Sequence, residues 1–213
     1  MKKIILVAVA MVIGGATFAQ SRTTTFGLKA GVNLPKYKYV NDNANTSNET
    51  ETTTNFHVTG YANVPVSTYF SIQPGVSLQG KGAKYYETGS TQIEDNVLAL
   101  EVPVNLVANL PAGPGKFYLG AGPYAGFNIA GKRKFISNNS TADRDLAFGD
   151  SNGDDLKSLD FGLNFLAGYQ LSSGVNFGAG YGLGLTNLTP TSTSNTNIEQ
   201  NNRVLSFSVG YAF

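Results

Sequence analysis

The chain has no cysteine and no tryptophan, only one histidine, and little charge: Asp, Glu, Lys and Arg make up 14% of it, where soluble domains carry roughly 25%. Without cysteine there is no disulfide, no thiolate nucleophile, no cysteine-based metal site and no cysteine to carry a lipid anchor. With His57 as the single imidazole, histidine clusters for zinc or proton relay are excluded. The formal charge is +1, and no basic stripe is present, so nucleic acid is not an expected partner. Nowhere after the first turn-breaking glycines do apolar residues recur with helical spacing.

The beginning of the chain is different in kind. Met1-Lys2-Lys3 is followed by an apolar run from Ile4 to Ile13, then Gly14-Gly15 and the small-residue stretch Ala16-Thr17-Phe18-Ala19. This reads as a secretory signal peptide, residues 1–19, cleaved after Ala19. The run is too short to span a bilayer, which takes roughly 20 residues. Removing it takes away Lys2 and Lys3, moves the formal charge from +1 to −1, and leaves 194 of the 213 residues as one domain, 20–213.

What fills that domain is two-residue alternation. Eight segments carry it: Thr25–Leu34, Asn55–Val66, Tyr69–Lys81, Asn96–Val107, Phe117–Ala130, Ser158–Tyr169, Val175–Thr186 and Arg203–Phe213. Each has one face of Leu, Val, Ile, Phe and Ala, and each is about as long as a tilted transmembrane strand of roughly 9–11 residues. In the last, Leu205, Phe207, Val209, Tyr211 and Phe213 share the apolar face. That pattern resembles the signal by which outer-membrane barrels are recognised for membrane assembly. The connections after segments two, four and six are tight: Ser67-Thr68, Pro111 to Gly115, and Ser172-Ser173-Gly174. Those after the odd segments are longer and polar. Pro35–Thr54 and Gly131–Lys157 are the longest, and the Asn/Thr/Glu-rich Asn41–Thr54 is expected to be mobile.

Short turns at one end and long loops at the other predict an eight-stranded antiparallel up-and-down transmembrane β-barrel, with both termini in the periplasm of a Gram-negative cell. A soluble barrel of similar strand number would put Lys, Glu and Asp on its wet face. Here the polar face carries Gly, Ser, Asn, Gln and Thr. Phe26, Phe70, Phe117, Tyr169, Phe177 and Phe213 should form an aromatic girdle at the short-turn rim. Pro74, Pro103 and Pro123 fall inside segments, and a closed barrel has no free edge for them, so each demands a bulge or a local break in pairing.

Several stretches together resemble a known group: Phe26 to Asn33, Leu100 to Asn105, Phe117 to Tyr124, Asp160 to Tyr169, and the Gly-rich Gly178 to Leu188. The chain is similar over its whole mature length to the PorT-like small outer-membrane β-barrel family of bacteria with gliding and type IX secretion machinery. The resemblance implies an outer-membrane barrel fold. It implies as partners outer-membrane lipid, the barrel-assembly machinery, and secretion or envelope proteins.

The candidate site is the lumen. Lys29, Lys81, Glu101, Asp160 and His57 fall on the inward phase. Lys81 and Glu101, on consecutive segments joined near Gly89-Ser90, fall near each other on one face, where they either pair as buried charges or are each solvated by trapped water. Glycines of segments five to seven share the inward phase, and long side chains of segments one to four (Lys29, Tyr61, Gln73, Gln79, Lys81, Glu101) should reach into the space they leave, plugging the bore. His57 has no evident Ser or Asp partner, so a structural role is expected rather than catalysis. Asp150, Asn152 and Asp154 alternate as calcium-loop ligands do, yet Phe161 stands where the bidentate twelfth-position Glu belongs; a solvated acidic turn is the expectation. Gly120-Ala121-Gly122-Pro123-Tyr124-Ala125 spells a dinucleotide fingerprint, but no helix follows it. The expected function is non-enzymatic and cofactor-free: a structural or accessory role in envelope transport or secretion. A surface adhesin acting through its loops, or a soluble periplasmic ligand-binding barrel, are the alternatives.

Overall fold

The computed structural model describes residues 23–41, 46–86, 91–137, 140–191 and 198–213. The expected signal peptide and the connection near Gly89-Ser90 lie outside them. The described residues form ten strands: β1 Thr25–Asn41, β2 Thr46–Glu49, β3 Asn55–Pro65, β4 Phe70–Tyr86, β5 Thr91–Ala112, β6 Gly115–Ser137, β7 Ser140–Asp145, β8 Leu159–Leu171, β9 Val175–Gly184 and β10 Ile198–Ala212. Eight of them form the ring, in the order β10, β9, β8, β6, β5, β4, β3, β1. β1 closes it on β10 from Gly27–Ala212 to Asn41–Ile198. The short β2 and β7 pair only with β1 and β6, beyond the ring.

Closure follows from the solvent. Every ring strand turns a face of Leu, Val, Ile and Phe outward, and on it Phe26, Leu119, Phe161 and Val209, with Phe213 just past β10, are exposed. Only hydrocarbon makes such a face favourable. In hydrocarbon an unpaired strand edge leaves backbone groups with no partner, so the sheet must close on itself. The outward rings also rule out the soluble ligand-binding barrel. Phe117, Tyr169 and Phe177 stand in one pairing row, and Phe117 and Tyr169 meet edge to face at 4.8 Å. Phe213 N–H donates to Phe26 O at 2.9 Å, completing that rim.

Three tight connections lie at this end, with Gly113 (φ 56°) and Gly174 (φ 94°) in the left-handed region their turns require. At the other end the strands run further than the alternation suggested. β1 continues to Asn41 and β6 to Ser137. The segment Asn41–Thr54, expected to be mobile, contributes β2, and Thr53 is buried with its hydroxyl donating to Glu94 at 2.6 Å. Strand pairing is made by the backbone, and β1 offers its continuing edge to Thr46–Glu49 despite their polar side chains.

The prolines are accommodated without bulges of their own. Pro74 pairs with Val104, and Pro123 with Leu163, while the residue pairs next to them are missing from the β3–β4, β4–β5 and β5–β6 ladders with register kept on both sides. The three prolines therefore share one seam of skipped hydrogen bonds. The register shift among these ladders lies elsewhere, at Leu98/Ala99.

Following the pairings from Lys29 leads to Thr59, Ser77, Glu101, Gly126 and Asp160. Extending the β9 and β10 registers returns to Tyr39, ten residues along β1 from the starting point. A stagger of this kind tilts the strands. Residues of one row thus lie at different heights along the bore.

Candidate functional site: a polar bore under an apolar cap

Alternation puts polar residues inside, and with no hydrocarbon or bulk water there they must satisfy one another. Lys81, Glu101 and Asp160 do so at mid-bore and are all but inaccessible, at 2%, 3% and 0% exposure. Lys81 Nζ forms an ion pair with Glu101 Oε1 on the neighbouring strand and reaches across to Asp160 Oδ2 on β8 at 2.7 Å. It also stands 4.7 Å above the centre of the Tyr124 ring, a favourable cation–π position. Tyr124 Oη and Asn202 Nδ2 donate to the same Asp160 oxygen, at 3.2 and 2.8 Å.

A second network lies beside it. His57 Nδ1 contacts Asn33 Oδ1 at 2.8 Å. Asn33 Nδ2 donates to Gln79 Oε1 at 2.7 Å and Gly80 O at 2.9 Å. Gln79 Nε2 donates to Ser77 Oγ, which sits 2.5 Å from Thr59 Oγ1. His57 is thus held by an amide, and among the described residues no carboxylate bonds its ring. Lys29 faces the same bore but joins no ion pair among the described residues. The stagger explains this: it shares a row with Glu101 and Asp160 but not a height.

The glycines are filled differently from the sequence expectation. A Cβ on Gly168 or Gly178 would fall within 2.3 Å of Tyr118 Oη, and one on Gly162 within 2.6 Å of the Tyr124 ring. These occupants come from β6 rather than from the first four segments, whereas Gly126 faces Glu101 of segment four, as expected, with Glu101 Cγ 3.3 Å from where a Cβ would stand. Tyr118 and Tyr124 share the inward phase with Gly120, Gly122 and Gly126, so strict extension of the alternation would have found them. Within the bore lies a cavity of about 70 Å³ lined by Lys29, His57, Tyr61, Gln73, Lys81, Glu101 and their neighbours, room for a few waters.

The mouth opposite the tight turns is closed by apolar residues. Tyr37, Ala83 and Val97 from the strands are buried against Leu146 and Leu156 of the β7–β8 connection and Leu188 of the β9–β10 connection, with Tyr39, Tyr85 and Phe148 around them. Backbone bonds tie the connections down: Leu146 N–H to Gly131 O at 2.9 Å, Lys157 N–H to Leu188 O at 2.8 Å, Leu188 N–H to Gln200 O at 2.8 Å. Arg133 grips the buried Asp95 with two hydrogen bonds, Nε to Oδ1 at 2.7 Å and Nη2 to Oδ2 at 2.8 Å. Arg144 grips Asp155 the same way, at 2.8 and 2.5 Å, which holds the Asp155 carboxyl below its ordinary range. None of this cap was legible as a site. Its only sequence signal is the isolated apolar set Leu146, Phe148, Leu156 and Leu188 in otherwise polar connections.

The acidic turn behaves as a turn. Asp150 accepts from Thr191 N–H at 2.6 Å and Thr191 Oγ1 at 2.9 Å, and Asp154 Oδ2 accepts from Ser151 N–H at 2.8 Å, while Asn152 is exposed. The two carboxylates fasten different connections. The described residues contain no group of three or more His, Asp or Glu side chains able to hold a metal ion. Leu205, Phe207, Val209, Tyr211 and Phe213 all stand on the outward face of the closing strand.

The family model of the outer membrane protein beta-barrel domain matches residues 18–190. No curated protein sequence matches the chain. Among solved structures it is similar to Ail, the attachment invasion locus protein of Yersinia pestis, at 13% identity, TM-score 0.43, over 90% of this chain and 100% of that one. It is similar to Neisserial surface protein A at 15% identity, TM-score 0.44, over 90% and 98%. The outer membrane protein OprG from Pseudomonas aeruginosa is similar at 13% identity, TM-score 0.47, over 90% and 97%.

Proposed function

Since the chain belongs to the outer membrane protein beta-barrel domain family, we propose that it works in the outer membrane as a sealed, non-enzymatic barrel, structural or accessory to envelope transport or secretion in the PorT-like manner. The observation that carries this reading is the double closure of the bore: a network of paired charges at its centre and an apolar cluster over its mouth. A conducting pore needs a continuous wet path, and the cavity of about 70 Å³ is a pocket of a few waters. The termini and tight turns face the periplasm, and the cap faces outward. Leu205, Phe207, Val209, Tyr211 and Phe213 serve as the recognition strand for the barrel-assembly machinery.

Two measurements test it. In planar bilayers the purified barrel should add no steady conductance, and open-channel currents of a general porin would overturn the sealed reading. Pull-down from gently solubilised outer membranes should co-isolate secretion or envelope components; recovery of the barrel alone would remove the accessory role.

A second reading, binding at the cell surface, is favoured by one observation. β1–β2 and β6–β7 continue as sheet past the apolar belt, with β7 fully exposed. β2 and β7 are polar, which suits a hydrophilic partner. Removing β7 should abolish such binding and leave the barrel folded.

A further inference from the structure

Positive charge is left over on the outside of the barrel. On the β1–β10 seam the outward pairs run Leu34–Leu205, Lys36–Arg203, Lys38–Asn201 and Val40–Glu199 towards the mouth. Two cations thus face each other one outward position above the leucines, and a third stands one position further. Two carboxylates answer them, level with Lys38 or beyond it: Glu49 of β2, opposite Lys38, and Glu199. Lys36 pairs with Glu49. Among the described residues Lys38 and Arg203 join no ion pair. The Glu49 carboxyl is held below its ordinary range by the hydrogen bond from Lys36, and further by the charges of Lys38 and Arg203, so the three cations share one neighbourhood. Arg203 is pinned, with Nη1 donating to Gly184 O and Asn202 O, both at 2.7 Å. Its Nε and Nη2 bond nothing among the described residues. Those are the two atoms with which Arg133 grips Asp95, a planar fork matched to carboxylate or phosphate oxygens.

Below the cluster an apolar groove of about 610 Å³ crosses the outward face, floored by Ala121, Ala167 and Ala179. It follows the pairing row Leu106, Ala121, Phe165, Tyr181, Leu205. Going round the ring in that sense gains ten residues of β1 towards the mouth, so Leu205 marks the upper end of the groove. Leu205 is also the next outward residue below Arg203. Cations fixed at the edge of hydrocarbon, above an apolar trough, fit one kind of molecule: an anionic head on an acyl chain. We propose that this seam binds a phosphate-bearing lipid of the outer leaflet, with its phosphate on Lys36, Lys38 and Arg203 and an acyl chain in the upper part of the groove. The choice of leaflet rests on the orientation proposed above, with the cap facing outward.

The test adds bisphosphorylated lipid A to the folded full-length barrel in detergent and reads adducts by native mass spectrometry. A discrete one-to-one adduct should form. Lys36→Gln and Lys38→Gln should each weaken it roughly fivefold, while Lys132→Gln, the same charge change at an exposed position on β6, should leave it unchanged. Ala179→Phe, which fills the groove floor and alters no charge, should weaken it too. The site is overturned by an equal loss in Lys132→Gln, by an adduct indifferent to the first two lysines or to Ala179→Phe, or by phosphatidylglycerol or inorganic phosphate competing as well as lipid A does. Orientation is read separately. The chain has no cysteine, so Ala142→Cys in β7 carries the single thiol, and a membrane-impermeant maleimide should label it on intact cells. Labelling only after lysis would refute the orientation, whereas lost lipid selectivity would refute the site.

Discussion

Along the middle of the bore the inward positions carry Lys81, Glu101, Asp160, His57 and Asn33, whereas at the mouth the same inward phase carries Tyr37, Ala83 and Val97. On β5 both kinds of lining sit a few residues apart: Val97 faces Leu and Tyr side chains, and Glu101 faces an ammonium. At mid-bore the only material available to fill the interior is side chains from the ring, so polar groups must find partners across it. At the mouth the connections are long enough to fold back, and Leu146, Leu156 and Leu188 supply apolar surface from outside the ring. The mouth is therefore organised like a small soluble core, with apolar residues inside, and the transmembrane stretch is the inverse. The boundary falls where hydrocarbon stops being the external solvent.

The comparison is broken most forcefully at its charged half. Lys81→Met leaves two buried carboxylates without their cation and should cost about 3–5 kcal/mol in denaturant unfolding of the folded barrel in lipid vesicles. Glu101→Leu should lower stability by less, because Asp160 still pairs with Lys81; an unchanged gel-shift melting temperature would show that the pair contributes nothing. Next comes the apolar half. Leu156, 1% exposed, when cut to Ala should cost about 2–3 kcal/mol, confined to the mouth. Hydrogen exchange should quicken in the β7–β8 connection and leave the transmembrane ladders protected. Exchange that quickens everywhere would mean that cap and barrel unfold as one unit.

A smaller effect separates the cap from the bore by pH. Asp155, gripped by Arg144, has a folded value below its ordinary 3.8. Its contribution to the cap is present above that ordinary value and is lost as pH falls from there through the folded value. Exchange in the β7–β8 connection should rise over that window in the wild type and be insensitive to it in Asp155→Asn. Least affected is the exposed Lys132–Asp143 pair at 3.0 Å. Asp143→Asn should leave melting unchanged, since solvent screens such pairs.

Much of the barrel was readable in one dimension, because facing lipid or facing the bore repeats every second residue. The inward placement of Lys81 and Glu101 follows directly from that period. Asp160 was assigned to the same face but not to the same partner. The sequence offered no measure of height, and Lys81 meets Asp160 across 79 positions only through the stagger of the ring. Tyr118 and Tyr124 share the inward phase with the glycines beside them, and the period alone does not say which space each ring fills. Asn202 lies one residue before the alternating segment Arg203–Phe213, because β10 extends beyond the apolar belt where alternation no longer marks it.

By itself the sequence determined which residues touch lipid, how many strands cross, and which end carries the tight turns, since each depends on local period and turn chemistry. Only the closed structure decided that Lys81 serves two carboxylates, that tyrosines occupy the glycine spaces, and that scattered leucines of polar connections cap the mouth. These are contacts between segments far apart in the chain. They are set by ring stagger and by where the connections fold back, and neither quantity is written in the pattern of any single strand.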